Sequence, residues 1–557
     1  MKKKKIKESS KEENEEDQTS GLDIRNIKDL WSFIKVNKIY FGLIVLFTLL
    51  IYANIITGDF VNLDDYSKLL ADPQYGNLGE SLKSLDLYRI IMTLFIKSFG
   101  IKSTPLHILS IIFHILNGFL AFILLYILFG KKYAILGTLM FLSHPTNTEA
   151  ISWHAGFPYP LRASVILPVL IFFALYKKGG GKKFLYISSA IYIFGLIFLR
   201  GGGWMLVTPF LAVFMDQFIL EDKIKFKNIV QYLPFLITSL IFFATLIPGY
   251  LQERVEGLET LYYVDTESAT PLMNRIPYTI YMEFKTLFFP TTLSIYHEGK
   301  YIGPGEYTFM VSVSIAIIFG IFYFMKRDRR LSGLILMILF SILPSFSPVI
   351  VAWIAAERYL YIASIFSSVM ILIGLSWLDD KVSKNKNGKK KTSKESNLVL
   401  YAAITIILLY SVRTIVRNVD LRNSKNLWIA TRKTAPYSYR VYNNMGDVLA
   451  NEGDYEGAIE NFKRSVALKT DYADAVHNIG HIYMVKKDYV RAKRYLEQSL
   501  QMNPRLYPSA YKLAVMYTEE GNYEKAKEYL EMCLSVETKN ADCAGLYQRI
   551  NTITPQR

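Results

Sequence analysis

The stretch "PLHILSIIFHILNGFLAFILLYILFGKK", residues 105–132, decides the fold. Residues 105–129 are almost wholly apolar and then stop at Gly-Lys-Lys. A helix needs about 20 such residues to cross the bilayer core. Lysines placed just past its end mark the cytoplasmic side. The whole chain fits this reading. Of 557 residues, 51% are hydrophobic, 14% aromatic and only 20% charged. That composition points to a polytopic membrane protein rather than a soluble one. The net charge of +16 is not a nucleic-acid stripe, because it sits in short loops between apolar runs and in the opening "MKKKKIK". No nucleic-acid partner is expected.

Working outward, eleven spans are predicted: 39–57, 105–129, 133–153, 160–176, 184–199, 204–220, 229–248, 307–325, 331–348, 359–378 and 398–416. With the N-terminus inside, the basic connections 130–132, 177–183, 221–228, 326–330 and 379–397 all fall on the cytoplasmic side. The positive-inside rule is then met at every turn, and an odd count puts the C-terminus outside. Residues 275–299 are apolar enough to cross, but crossing there would flip every later basic loop. They are therefore read as re-entrant or interfacial. Residues 85–100 are read as an interfacial helix, with Leu87, Ile90, Ile91, Leu94 and Phe95 at helical spacing and Arg89 and Lys97 as anchors. The first span follows a polar stretch and lacks a small-residue exit, so it is not read as a cleavable signal. Residues 1–20 are charged low complexity and are expected to be disordered.

Every cluster of unusual polar residues then lies in outer loops: Asp64 with Asp65, His144 with Glu149 and His154, Arg200, Arg275 with His297, and Glu357 with Arg358. A transporter would place such groups at mid-membrane in broken helices. A single outer face suggests an active site at the bilayer surface.

After the last span the sequence repeats every 34 residues. Tyr455, Tyr489 and Tyr523 are in register, as are Ala458, Ala492 and Ala526. Gly446, Gly480 and Ala514 align, and so do Phe462, Leu496 and Leu530. This is the tetratricopeptide period, with small residues where two helices cross and large ones between. The domain plan is a tail and juxtamembrane segment (1–38), a membrane domain (39–416), a bridging half repeat (417–438), three repeats (439–540) and a capping tail (541–557). The expected class is all-α. A repeat groove of this kind takes a protein or peptide segment; a rigid spacer or dimer contact is the plainer use. The two cysteines, Cys533 and Cys543, exclude a Cys-based zinc site and can form one bridge if the repeats lie outside the cytoplasm.

Five patterns in order carry a resemblance. They are "VNLDDYSKLLADP" from 61, "LYRII" with "PLHILSIIFHILN", "HPTNTEAISW" from 144, "AAERYLYIAS" from 355 and "RTIVRNVDLRNSKNLW" from 413. Followed by the repeats, they resemble the transmembrane and tetratricopeptide repeat-containing O-mannosyltransferases and their prokaryotic relatives, within the GT-C glycosyltransferases. The chain departs from that pattern at Asn147, at "LRGGGW" (199–204) and at "FPYPLR" (157–162).

The resemblance implies inverting transfer of a sugar from a polyprenyl-phosphate donor to a protein hydroxyl. An alcohol needs a base within hydrogen-bond reach, and a departing phosphate needs a cation, for which Arg is well matched. The base is assigned to the acidic pair, Asp65 first, with Asp64 orienting it or binding a sugar hydroxyl. Either aspartate could instead cap a helix. Glu149 and His144 are expected to shape the acceptor site, though Glu149 could simply pair with Arg162. Arg358 is the first choice for the donor phosphate, then Arg275 and Arg200; an ion pair with Glu357 or another acid is the plainer role for Arg358. Glu357, His114 and Arg89 are expected behind these, with His114 and Asn117 making interhelical hydrogen bonds. No metal is expected, although a divalent ion at the acidic pair stays open. Two other functions compete. One is a scaffold recruiting partners through its repeats; the other is a flippase or polymerase of lipid-linked glycans. The expected location is a prokaryotic plasma membrane.

Overall fold

The computed structural model describes residues 27–65, 77–199, 202–221, 226–245, 248–249, 251–252, 272–296, 302–346, 355–382, 397–538 and 540–553. Arg200, His297, the 1–20 tail and most of the 379–397 lysine loop lie outside the described residues. The described residues form helices and turns, with no strand among them.

Five helices among the described residues are long and apolar enough to cross a membrane: Lys38–Ile55, Ser103–Phe129, His154–Gly180, Pro304–Met325 and Leu398–Asp420. Shorter apolar helices cover Trp204–Leu220, Ile229–Thr245 and Ala363–Asp379. Two faces of the bundle are strongly apolar and open. Ile315, Phe319 and Phe322 are exposed on one helix, and Leu408, Leu409 and Val412 on another. An apolar surface of this extent is costly in water and suits lipid.

The quoted 105–129 run is one helix. It stops where Gly130 takes φ 81°, a conformation open to glycine, and the Gly130 N–H bonds the Tyr126 carbonyl at 3.0 Å. The chain then turns straight back into Lys131–Leu142. Expected span 133–153 is not a single helix. It ends at Leu142, turns through Ser143–Thr146 and resumes as the short helix Asn147–Ser152. Two causes are visible. Pro145 disfavours helical backbone at His144, and the Asn147 side-chain amide bonds the Phe141 carbonyl at 2.7 Å in place of a helical N–H. This break drops the "HPTNTEAISW" residues into the protein rather than along a membrane-facing helix: His144, Asn147 and Glu149 are all fully buried.

Residues 87–99 form the amphipathic helix Leu87–Phe99, capped by Asp86, whose carboxylate accepts the Tyr88 N–H at 3.1 Å. Residues 272–288 form a helix, Leu272–Phe288, that packs on Pro304–Met325.

Beyond Leu398–Asp420, a single helix Ser424–Thr434 leads into three helix pairs, Tyr439–Asn451 with Tyr455–Leu468, Ala473–Val485 with Tyr489–Met502, and Tyr507–Glu519 with Tyr523–Val536. The small register position has a steric reason. A Cβ at Gly446 would lie 2.5 Å from the Phe462 ring, and one at Gly480 2.9 Å from Leu496. The last helix, Ala541–Ile553, covers the open end of the third pair and is tied to it by a Cys533–Cys543 disulfide.

Candidate active site around the acidic pair

The acidic pair sits at the start of the loop that follows Lys38–Tyr52 and Ala53–Ile55. Asp64 is half-buried, whereas Asp65 is fully buried. One Asp65 carboxylate oxygen accepts the Val61 N–H at 3.1 Å and the other the Ala155 N–H at 3.0 Å. The carboxylate thus joins the first loop to the turn that follows Asn147–Ser152. Burial pushes its carboxyl up to about 7; the two backbone N–H groups pull against that shift, and the neighbouring Asp64 charge adds to it.

A pair of buried imidazoles borders this junction. The His107 and His154 rings are 4.1 Å apart, and Phe60 lies against His154 at 4.9 Å. Neither ring nitrogen of His154 has a hydrogen-bond partner among the described residues, whereas His107 faces the Gly58 backbone.

Glu149 and Arg358 form a buried ion pair, and the Arg358 backbone N–H adds a second bond to Glu149 at 3.0 Å. Arg162, the partner considered from sequence, instead lies over the Tyr159 ring at 5.4 Å. The Arg358 guanidinium lies over both the Trp153 and the Tyr359 ring, each at 5.0 Å, and Asp64 is near enough to act on it electrostatically. Glu357 does not pair with its neighbour Arg358. It turns to Arg417, with bonds of 2.9 and 3.3 Å, and Asp420 flanks Arg417 at 3.5 Å. Glu283, on Leu272–Phe288, completes the cluster by accepting the Ala356 N–H at 3.3 Å. Burial holds the carboxyls of Glu283 and Glu357 above their ordinary range.

Sequence reading missed Glu283 and Arg417. Each lies in a mostly apolar helical stretch, Glu283 two residues from Lys285 and Arg417 between Arg413 and Asp420, and an ionisable residue in such a stretch was the available signal.

Other expected residues are placed elsewhere. His144 bonds the Leu287 carbonyl at 2.9 Å and the Thr146 hydroxyl at 2.7 Å, so it ties the Ser143–Thr146 turn to the end of Leu272–Phe288. His114 bonds the Tyr361 hydroxyl at 2.7 Å and faces the Leu142 carbonyl at 3.2 Å, while Asn117 bonds the Pro160 carbonyl at 2.8 Å. These are interhelical contacts. Arg275 is buried on Leu272–Phe288, and Arg89 is half-buried on Leu87–Phe99. Among the described residues no group of three or more His, Cys, Asp or Glu is placed to hold a metal ion.

The first loop is stapled to the repeat domain. The Asn62 N–H bonds Ser424 Oγ at 2.8 Å, its side-chain N–H bonds the Asn444 carbonyl at 3.3 Å, and its amide oxygen accepts the Trp428 indole N–H. Asp59 adds a backbone bond to Arg422 at 2.8 Å. The first repeat therefore begins on the side that holds the acidic pair.

Two family models match the repeat region, "TPR repeat" over 446–486 and "Tetratricopeptide repeat" over 484–550. Protein O-mannosyl-transferase tmtc2 of Xenopus laevis is 28% identical over 127 residues, 23% of this chain and 14% of that protein. Drosophila melanogaster Tmtc3 is 30% identical over 122 residues, 22% of this chain and 12% of its own length. Human TMTC3 is 22% identical over 414 residues, 67% of this chain and 43% of that protein. The chain thus spans less than half the length of these relatives. The crystal structure of MamA aligns with 33% of the chain at 16% identity and a TM-score of 0.20, which adds nothing to the fold. By its repeats and by the long match to TMTC3, the chain is similar to the TMTC-type, tetratricopeptide-repeat-containing protein family.

Proposed function

We propose that this chain is a membrane glycosyltransferase that moves a hexose, mannose by analogy with the names of its relatives, from a polyprenyl-phosphate donor to a hydroxyl of a protein. The observation that carries this reading is the Asp65 carboxylate, buried between two backbone N–H groups yet raised to about 7. A general base works best when its pKa lies near the working pH. Asp65 takes the proton of the acceptor hydroxyl as that oxygen attacks the anomeric carbon. The carbon–oxygen bond to phosphate breaks on the opposite face, and the polyprenyl phosphate leaves with the electron pair. Configuration inverts in this single step. Asp64, the more exposed of the two, orients the incoming hydroxyl.

Arg358 and Glu149 hold the 356–358 turn in place beside the pair. Arg358 is already charge-paired with Glu149 and lies over the Trp153 and Tyr359 rings, which suits positioning. The repeats present the protein acceptor, since Asn62 joins their first helices to the loop that carries Asp64 and Asp65. We assign the repeats to the extracytoplasmic side of a prokaryotic plasma membrane, with the N-terminus cytoplasmic. The Cys533–Cys543 bridge supports that side, because disulfides persist in oxidising compartments.

Mass spectrometry of the extracytoplasmic proteome with and without this chain tests the function. Loss of a hexose from Ser or Thr sites is expected. An unchanged glycoproteome sides with the scaffold reading.

A further inference from the structure

The 34-residue register holds a second row that packing does not use. Residues 444, 478 and 512 are in step and read Asn, Asn, Lys. Each lies on the first helix of its pair, Tyr439–Asn451, Ala473–Val485 or Tyr507–Glu519. Each is half-buried, whereas Gly446 and Gly480, at the helix crossings, are buried.

Polar contacts run along this row from one first helix to the next. The Asn478 side-chain N–H group donates to the Asn443 side-chain oxygen at 3.1 Å and to Asp447 at 3.2 Å. With its nitrogen engaged in this way, the Asn478 side-chain oxygen bonds nothing among the described residues and is left as an acceptor. The Asn444 side chain is likewise unbonded among the described residues; its backbone carbonyl accepts from Asn62. Toward the third pair, His477 Nδ1 bonds Ser509 Oγ at 2.6 Å, and the His481 ring lies 6.5 Å from the His477 ring. A side-chain amide offers an acceptor and two donors, so asparagines repeated in register suit the backbone of an extended chain.

Lys512 ends the row and differs from other lysines of the repeat region. Lys425 pairs with Glu452 at 2.7 Å, Lys486 with Glu456 and Lys493 with Glu520. Lys512 has no acid beside it among the described residues. Its charge acts instead on His477 and His481. Burial holds the Lys512 ammonium below its ordinary range, and burial together with that ammonium pulls the His477 imidazole down to about 3. The imidazoles stay neutral, and the ammonium stands recessed without a counter-charge. A recessed ammonium gains more from an incoming carboxylate than an exposed one does, because water and salt screen it less.

We propose that this face holds an extended, acidic segment of the protein acceptor, with Asn444 and Asn478 on its backbone amides and Lys512 on an Asp or Glu side chain. The bond from Asn62 to the Asn444 carbonyl sets the first-repeat end of the row beside the loop of Asp64 and Asp65. The segment therefore lies with its carboxylate at the third pair and its reacting hydroxyl toward the first. This rests on the reading of the repeats as the part that presents the acceptor, and gives that acceptor its chemistry.

The test is equilibrium binding of labelled peptides to the purified full chain in detergent. One is a flexible peptide of Ser, Thr and Ala carrying several Glu; two others have Gln or Lys in the same places. The Glu peptide is expected to bind roughly 10- to 100-fold more tightly than the Gln peptide, the scale of one hydrogen bond to a charged group, with the Lys peptide weakest. Lys512→Gln should bring the Glu and Gln peptides to equal affinity. Lys512→Glu should turn the preference to the Lys peptide, which no folding defect would do. Asn478→Ala should weaken the Glu and Gln peptides by the same factor; a loss confined to the Glu peptide overturns its backbone role. Binding of the Gln or Lys peptide as tight as that of the Glu peptide by the unsubstituted chain overturns the acidic partner, as does no binding of any of the three. A Glu preference that survives Lys512→Gln overturns the site. These failures leave the transferase reading standing on its own glycoproteome test. An unchanged glycoproteome, with a Glu preference that Lys512→Gln removes, sinks the transferase reading and keeps the acidic segment as the partner of the repeats.

Discussion

The indole N–H of Trp428 is hydrogen bonded to the side-chain oxygen of Asn62, 366 residues earlier in the chain. Trp428 is fully buried in the helix that links the last membrane helix to the repeats, and Tyr296 stacks on it with ring centroids 5.8 Å apart. Asn62 stands two residues before Asp64. Through this contact the repeat domain and the acidic loop are held as one unit.

We predict that Asn62→Ala loosens that unit. It removes the partner of a buried indole and a bond to Asn444, at a cost of about 1–3 kcal/mol. Transfer to a full-length protein acceptor should fall several-fold, while transfer to a short peptide falls less. Kinetics with both acceptors on one preparation checks this. Equal loss for the two would reduce the repeats to a folding support.

The raised Asp65 carboxyl sets a pH dependence. Its folded value, about 7, lies above its ordinary 3.8. Between those values the folded state holds the proton more tightly than the unfolded chain, so Asp65 contributes stability at low pH that is lost as pH rises toward 7. The slope is up to about 1.4 kcal/mol per pH unit. Activity runs the other way, because only the deprotonated carboxylate accepts a proton. Turnover at saturating donor should rise with pH and level off above about 7. A flat profile from pH 5 to 8 would contradict the base assignment.

Arg358→Gln should be strongly destabilising, by about 3–5 kcal/mol, since it leaves Glu149 buried without a counter-charge. Glu149→Gln in the same chain should recover much of that loss. Thermal midpoints of the two single variants and the double variant give the coupling directly. Additive losses would mean that the pair does not act as a unit.

His154→Phe should be neutral or slightly stabilising. Both imidazole nitrogens are buried without partners among the described residues, and the ring already lies between His107 and Phe60. Replacing an unsatisfied polar ring by an apolar one of similar shape removes a desolvation penalty of roughly 1–3 kcal/mol. A large fall in thermal midpoint would show that an unrecognised group binds the histidine pair.

Different parts of this arrangement were legible in the sequence for different physical reasons. The repeats were readable because one packing rule recurs with a fixed period: Gly446 and Gly480 mark the helix crossings, and Phe462 and Leu496 fill them. The Leu87–Phe99 helix was readable from its spacing of apolar residues and its flanking charges. The break at His144–Pro145 was written in the sequence too, but average apolarity carried the expected span across it. The polar cluster was harder. Glu149, Arg358, Glu357, Arg417 and Glu283 come from four separate parts of the chain, and pairing is a property of the packed state. Adjacency pointed Glu357 toward Arg358, whereas the fold gave Arg358 to Glu149 and Glu357 to Arg417.

The central claim is that Asp65 accepts the acceptor's proton, and Asp65→Asn tests it most directly. The amide keeps the size and one oxygen of the carboxylate, so it can accept from Val61 or from Ala155 but not from both, and folding has to be measured alongside. The measurement is sugar transfer from a defined polyprenyl-phosphate mannose to a protein acceptor in detergent, with donor affinity and thermal midpoint recorded on the same sample. The account predicts a fall in transfer on the order of 10²–10⁴-fold with donor binding and folding retained. Unchanged transfer by Asp65→Asn, alone and combined with Asp64→Asn, would contradict it.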